Sequence, residues 1–154
     1  MKNKVELIGH YGDDTTIACS AWTSTSRNLT QKKIDRIPAL IDMLWGEGHH
    51  TPFEKATVHF LVDTDIATHI HLLKHRIASI NAESARYKEL KEDKTYIPQD
   101  WNERWRDKLQ EYTADGNKLY HEALLELTPL LGRARAKESA RFFKTYNSQI
   151  EADI

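Results

Sequence analysis

The sequence predicts a helix-rich α+β fold, a single domain with a small antiparallel sheet. Two β-prone runs and one long helical pattern carry that reading. Val58-His59-Phe60-Leu61-Val62 is dense in the β-branched and aromatic residues that suit a pleated, half-buried surface, and Val5-Glu6-Leu7-Ile8 is a second, shorter run. Over 101–131, apolar residues recur at three- and four-residue steps, the period of a helix packed along one side. A length of 154 residues fits one domain, able to bury roughly two-thirds of its unfolded surface.

In chain order, Gly9 and Gly12 supply turn chemistry after the first β-prone run, and Asp13-Asp14-Thr15-Thr16 opens a helix that carries Ile17, Ala18, Ala21 and Trp22. Cys19 falls inside that apolar pattern and is expected as a small core residue. The stretch from Asn28 to Thr30 caps a second helix, striped by Ile34, Ile37, Leu40, Ile41, Leu44 and Trp45. Pro38 must kink or restart it, and Gly46 and Gly48 end it. After the 58–62 strand, Asp63-Thr64-Asp65 precedes a helix with Ile66, Ile70 and Leu73, ending near Lys74-His75-Arg76. Residues 77–87 lack a period and read as an ordered loop leading into a short strand. The long helix follows Tyr96-Ile97-Pro98. Its expected buried face is Trp101, Trp105, Leu109, Tyr112, Leu119, Ala123, Leu124, Leu127 and Leu131, with Gly116 a weak point and Pro129 and Gly132 closing it. A final helix is expected over 135–144.

Composition removes several classes of function. With 40% hydrophobic and 29% charged residues and only six glycines and four prolines, disorder is not expected. No apolar run is long enough to span a bilayer, and the N-terminus lacks a signal core, so no membrane association is expected. The single Cys19 allows no internal disulfide and fits a reducing cytoplasm. A net charge of −1 gives no overall pull on nucleic acid, which is not an expected partner. Neither a G-x-G-x-x-G nor a Walker loop nor a G-x-S-x-G elbow occurs. His71 and His75 are four apart, as in zinc-binding pairs. The residues between them are Leu72, Leu73 and Lys74 rather than a glutamate, so no metal is expected.

Local charge is more informative. One basic cluster is Lys74, His75 and Arg76 followed by Arg86, Lys88 and Lys91; a second is Arg133, Arg135, Lys137, Arg141 and Lys144. The first alternates with Ser79, Asn81 and Ser84 in a loop, which concentrates phosphate-binding donors. The second has helical spacing with Glu138 beside it, and reads equally well as a solvated helix face. With no credible nucleophile, an enzyme built on these residues handles phosphates and leaves the hard chemistry to a cofactor.

His49-His50-Thr51-Pro52-Phe53-Glu54, then a strand, a helix and Lys74-His75-Arg76-Ile77-Ala78-Ser79-Ile80-Asn81-Ala82-Glu83-Ser84-Ala85-Arg86-Tyr87, resembles the flavin-dependent thymidylate synthases over nearly the whole chain. Their signature is Arg-His-Arg, seven residues, Ser, and on to Arg-Tyr. Lys74 replaces the first Arg, and Ala82 replaces a usual glutamate. The resemblance implies a cytoplasmic homotetramer with active sites at subunit interfaces, and reductive methylation of dUMP to dTMP. FAD, NADPH and methylenetetrahydrofolate would take part, and no enzyme cysteine would attack the uracil. It implies catalytic roles for His49 and Arg76 and FAD contacts from Thr51, Lys74, His75 and Arg76. Nucleotide contacts fall to His71, Lys74, Ser84, Arg86 and Arg141. The family pattern runs on beyond the position of Ile154, with asparagines for the flavin and an arginine that polarises the uracil. The sequence therefore reads as a C-terminally shortened member, and the alternative is a non-catalytic nucleotide- or flavin-binding chain completed by a second chain.

Overall fold

The computed structural model describes residues 2–75 and 77–154. Strand β1 spans Lys4–Tyr11, β2 Thr57–Asp65, β3 Asn81–Ala82 and β4 Gln149–Asp153; the helices are α1 Asp14–Ala21, α2 Gln31–Ile34, α3 Ile37–Gly46, α4 Ile66–Leu72, α5 Glu103–Leu131 and α6 Arg133–Ala140. The sheet order is β1-β2-β4-β3, with β4 antiparallel to both β2 and β3. The α+β class expected from the sequence is therefore what the chain adopts. It divides into two compact units, Leu7–Phe60 and the residues up to Glu6 together with Leu61–Ile154.

Within Leu7–Phe60, local chemistry sets the helices. The Asp13 side chain accepts from the Thr16 amide at 2.8 Å, and the Thr16 hydroxyl lies 3.3 Å from the Asp13 amide, a reciprocal cap on α1. Pro38 sits in the first turn of α3 and restarts the helix after α2, since its missing amide is unneeded there. Ile17 and Ala18 of α1 and Ile37 and Leu44 of α3 are the buried apolar residues of this unit. Gly9 does not make a turn, because β1 runs through it. Cys19 is half-buried beside Thr23 and Arg27 in a shallow depression rather than in the core.

In the other unit, α5 and α6 pack along each other around Tyr120, Leu124, Ala136 and Ala140. The buried face of α5 agrees only in part with the expected one. Leu124 is buried and Ala123 and Leu127 pack against the core, but the other buried residues are Thr113, Gly116, Asn117 and Tyr120, so the face is turned by about a sixth of a turn from the apolar stripe. Trp105, Tyr112 and Leu119 are 55%, 65% and 45% exposed. The cause is the partner: α5 faces a returning chain rich in backbone polar groups, so its contact residues are small or hydrogen-bonding. Thr113 Oγ1 donates to Leu109 O at 2.7 Å, and Asn147 Nδ2 donates to Thr113 Oγ1 and to Tyr96 O, both at 3.0 Å.

Gly116 is where that return comes closest. A Cβ there would meet the Phe143 carbonyl oxygen at 2.7 Å and Thr145 Cγ2 at 3.2 Å, so the glycine is a contact point rather than a weakness. The final helix also differs from expectation: α6 ends at Ala140 and tightens to a 3-10 turn, Arg141–Phe143. The chain then forms β4, which the sequence did not announce.

Lys144, directly after the 3-10 turn and ahead of β4, has a side chain 3% exposed. Its ammonium donates to Asp93 Oδ1 at 2.6 Å and Asn117 Oδ1 at 2.9 Å and lies 4.4 Å from the Tyr120 ring centroid. His121 Nε2 stands 3.0 Å from the other Asp93 oxygen. Burial opposes the ionised form of Asp93, but the hydrogen bonds from Lys144 and His121 outweigh it and hold the carboxyl below its usual range. Asp65 is held low in the same manner, with burial overcome by Asn3 and Thr68.

Two outcomes follow from this packing. Gly116→Ala should cost about 1–3 kcal/mol in thermal or denaturant unfolding through overpacking, although alanine is the better helix former; equal or greater stability would contradict the close approach. A carboxyl depressed in the fold contributes stability above its unfolded pKa and loses it as pH falls through the folded one. Stability should therefore decline below about pH 4. Asp93→Asn should flatten that decline, and a curve parallel to the wild type would remove Asp93 from the account.

Candidate functional site

The first block of candidate residues leaves the end of α4. Asp65 ends β2 and caps the helix: its carboxylate accepts from the Thr68 amide, the Thr68 hydroxyl and Asn3 Nδ2, each at 2.9 Å. At the other end, the amides of Leu73, Lys74 and His75 donate to the carbonyls of His69, His71 and Leu72 at 3.0–3.1 Å. The chain thus winds off the helix in a tight turn, with Lys74 and His75 at the negative end of its dipole. His71, Lys74 and His75 are exposed and make no ion pair with described residues. Arg76 lies outside the described residues, and with it the catalytic and cofactor roles expected for it.

The second block is a turn after β3. The amides of Tyr87 and Lys88 donate to the Ser84 carbonyl at 3.0 and 2.9 Å, and the Arg86 amide donates to Ser84 Oγ at 3.3 Å. This local bonding explains why the segment is ordered without a period. Arg86 Nε approaches Glu138 Oε1 at 2.5 Å, while Glu138 Oε2 accepts from Arg135 Nη1 at 3.1 Å. Arg135 and Arg86 together hold the Glu138 carboxyl below its usual range, the Arg135 hydrogen bond foremost. Lys137 Nζ donates to Tyr87 O at 2.7 Å, and Arg133 pairs with Glu89. Arg133 and Lys137 of the second basic cluster thus fasten α6 to the 84–89 turn, while Arg135 pairs with Glu138 within the helix and Lys144 with Asp93.

Arg141 is the exception. It lies one helical turn beyond Glu138, is exposed, and makes no ion pair with a described residue, its guanidinium resting 5.9 Å from the Phe142 ring centroid. It lines an open cleft of about 740 Å³ with Tyr96, Trp101, Tyr112 and Tyr146, a volume in the range of small-molecule sites. Arg135, Glu138 and Arg141 share one stripe of the helix, with Arg86 joined to it through Glu138. Ser84 and Arg86 thus lie on the turn that meets α6 at Glu138, and Arg141 follows at the C-terminal end of that helix. Glu83 does not stand in for the glutamate absent at Ala82, because its carboxylate takes Lys88 and accepts from the Glu151 amide at 3.2 Å.

His49 and Thr51 belong to Leu7–Phe60. The His49 amide donates to Leu44 O at 2.9 Å, closing α3, and Trp45 packs edge-on against His50 and Phe53 with centroids 5.9 and 5.7 Å away. This leaves the His49 and Thr51 side chains exposed. Among the described residues, no three of His, Cys, Asp and Glu converge as metal ligands. No helix of the described residues is long and apolar enough to cross a membrane. In the sequence Glu138 reads only as a sign of a solvated helix face, whereas the structure sets it between Arg86 and Arg135; its signal is the three-residue spacing from Arg135 and to Arg141.

The family profile described as thymidylate synthase complementing protein matches residues 6–150. A flavin-dependent thymidylate synthase of Pseudothermotoga lettingae is 37% identical over 107 residues, covering 70% of this chain and 47% of that protein. Another from Tropheryma whipplei is 31% identical over 153 residues, covering 97% and 61%. The chain thus spans about half the length of these relatives. The solved UMP/dUMP methylase PolB of Streptomyces cacaoi, bound with 5-Br dUMP, superposes with a TM-score of 0.69 at 27% identity, covering 99% of this chain and 71% of that one.

Proposed function

The chain belongs to the thymidylate synthase complementing protein family, and on that footing we propose that it binds dUMP and FAD and serves the reductive methylation of dUMP to dTMP in the cytoplasm. Methylenetetrahydrofolate is the proposed carbon donor and NADPH the source of reducing equivalents. The observation that supports this reading is the contact of Arg86, in the same turn as Ser84, with Glu138 of α6, while Arg141, one helical turn beyond Glu138, lines an open cleft. A phosphate monoester needs two or more charge-assisted donors, and these side chains offer two planar forks and a hydroxyl. In this reading Ser84 and Arg86 take the dUMP phosphate, and Arg141, His71 and Lys74 add contacts to the nucleotide.

The donor set also fits a flavin dinucleotide. Lys74 and His75 are exposed cations or donors with no ion pair to described residues, as a pyrophosphate requires, and Thr51 presents an exposed hydroxyl. With Arg76, these are the proposed FAD contacts, and His49 and Arg76 take the catalytic roles. When bound, the flavin supplies the hydride. No protein thiol is needed in that chemistry. A homotetramer is the proposed assembly: Trp105, Tyr112 and Leu119 on α5 and Val5, Leu7 and Tyr11 on β1 leave large apolar side chains exposed.

Arg86→Ala should weaken dUMP binding by calorimetry about 10- to 100-fold, the worth of a charged hydrogen bond, with the unfolding midpoint nearly unchanged. Unchanged affinity in a folded variant would remove Arg86 from the nucleotide site.

A further inference from the structure

The one carboxylate in the proposed phosphate site has no place in a plain anion-binding surface. Glu138 sits between two guanidinium groups, 2.5 Å from Arg86 Nε and 3.1 Å from Arg135 Nη1, with Arg141 one turn further along the same helix face. Its side chain is 24% exposed, against 51% for Arg86 and 63% for Arg135, so the carboxylate is the inner member of the cluster and the cations reach outward past it. A carboxylate and a phosphate present similar acceptor oxygens to a guanidinium and compete for the same donors.

We infer that Glu138 is a resident counter-ion in the phosphate site: it occupies Arg86 and Arg135 until a phosphate dianion displaces it, and so sets the affinity threshold for anions. This rests on the reading that Arg86 holds the nucleotide phosphate. Three guanidinium charges against one carboxylate leave the cluster net positive, so a dianion is attracted while a monoanion gains little over the glutamate already there. The Arg86 side chain is 51% exposed, so an incoming phosphate can reach its guanidinium and take it from Glu138. The exchange resolves a conflict in the sequence, where an acidic residue stands amid cations that a phosphate site requires. It also keeps the 84–88 turn fastened to α6 before ligand arrives.

The test is calorimetry of dUMP and of deoxyuridine, which lacks the phosphate, on the flavin-loaded wild type and on Glu138→Gln. Expected are tighter binding of dUMP than of deoxyuridine by the wild type, and a further tightening of dUMP alone by about three- to five-fold in Glu138→Gln, the scale of a partly exposed ion pair. Equal or weaker dUMP binding by the variant, with the wild type still preferring dUMP, overturns the counter-ion role and leaves the phosphate site standing. A wild type that binds the two alike overturns both. If Glu138→Gln does not fold, Glu138→Asp withdraws the carboxylate by one methylene and should tighten dUMP binding in the same direction; no tightening there overturns the proposal.

Discussion

The contact between the Phe143 carbonyl and the bare face of α5 at Gly116 fixes much of what surrounds it. Only a residue without a side chain lets the returning backbone lie this close. Once there, Lys144 is carried inside, where Asp93, Asn117 and the Tyr120 ring satisfy its charge. Asn147 reaches across to Thr113 and Tyr96, and the chain is then aligned to enter the sheet as β4, between β2 and β3. α6 precedes this return and holds the 84–89 turn. The elements bearing Ser84, Arg86 and Arg141 are therefore positioned by this backbone approach together with the apolar cluster between α5 and α6.

Electrostatics follows from that frame. A chain of near-zero net charge gathers cations locally, then neutralises most of them with partners of its own. Exposed pairs of this kind contribute little stability one by one. Their effect is geometric: they determine which arginines remain available and in what direction. Lys144 differs because it is buried, and its removal from Asp93 would leave a desolvated charge without compensation.

What the sequence disclosed was mostly local. Asp13 and Asp65 announced their helices because a side-chain cap is a matter of three neighbouring residues. Pro38 announced a restart because its ring decides the first turn. The long helix was legible in extent but not in orientation. Thr113 and Asn117 are buried for their hydrogen bonds, whereas Trp105, Tyr112 and Leu119 point outward, and a period of apolar residues cannot separate a core face from a face left for other contacts. β4 was invisible for a related reason. Gln149-Ile150-Glu151-Ala152-Asp153 has only two apolar residues, and it is a strand because β2 and β3 flank it. Of the candidate site, Ser84, Arg86 and Arg141 stood out by motif. Glu138 did not, because its role exists only through the long-range contact with Arg86.

The central claim, that the chain brings a flavin and a nucleotide together, is tested most directly by the visible absorption spectrum of the purified protein on addition of FAD and then dUMP. The account predicts a bound-flavin spectrum that dUMP shifts and deoxyuridine shifts less. A protein that takes up no flavin, or whose flavin spectrum is indifferent to dUMP, would contradict it.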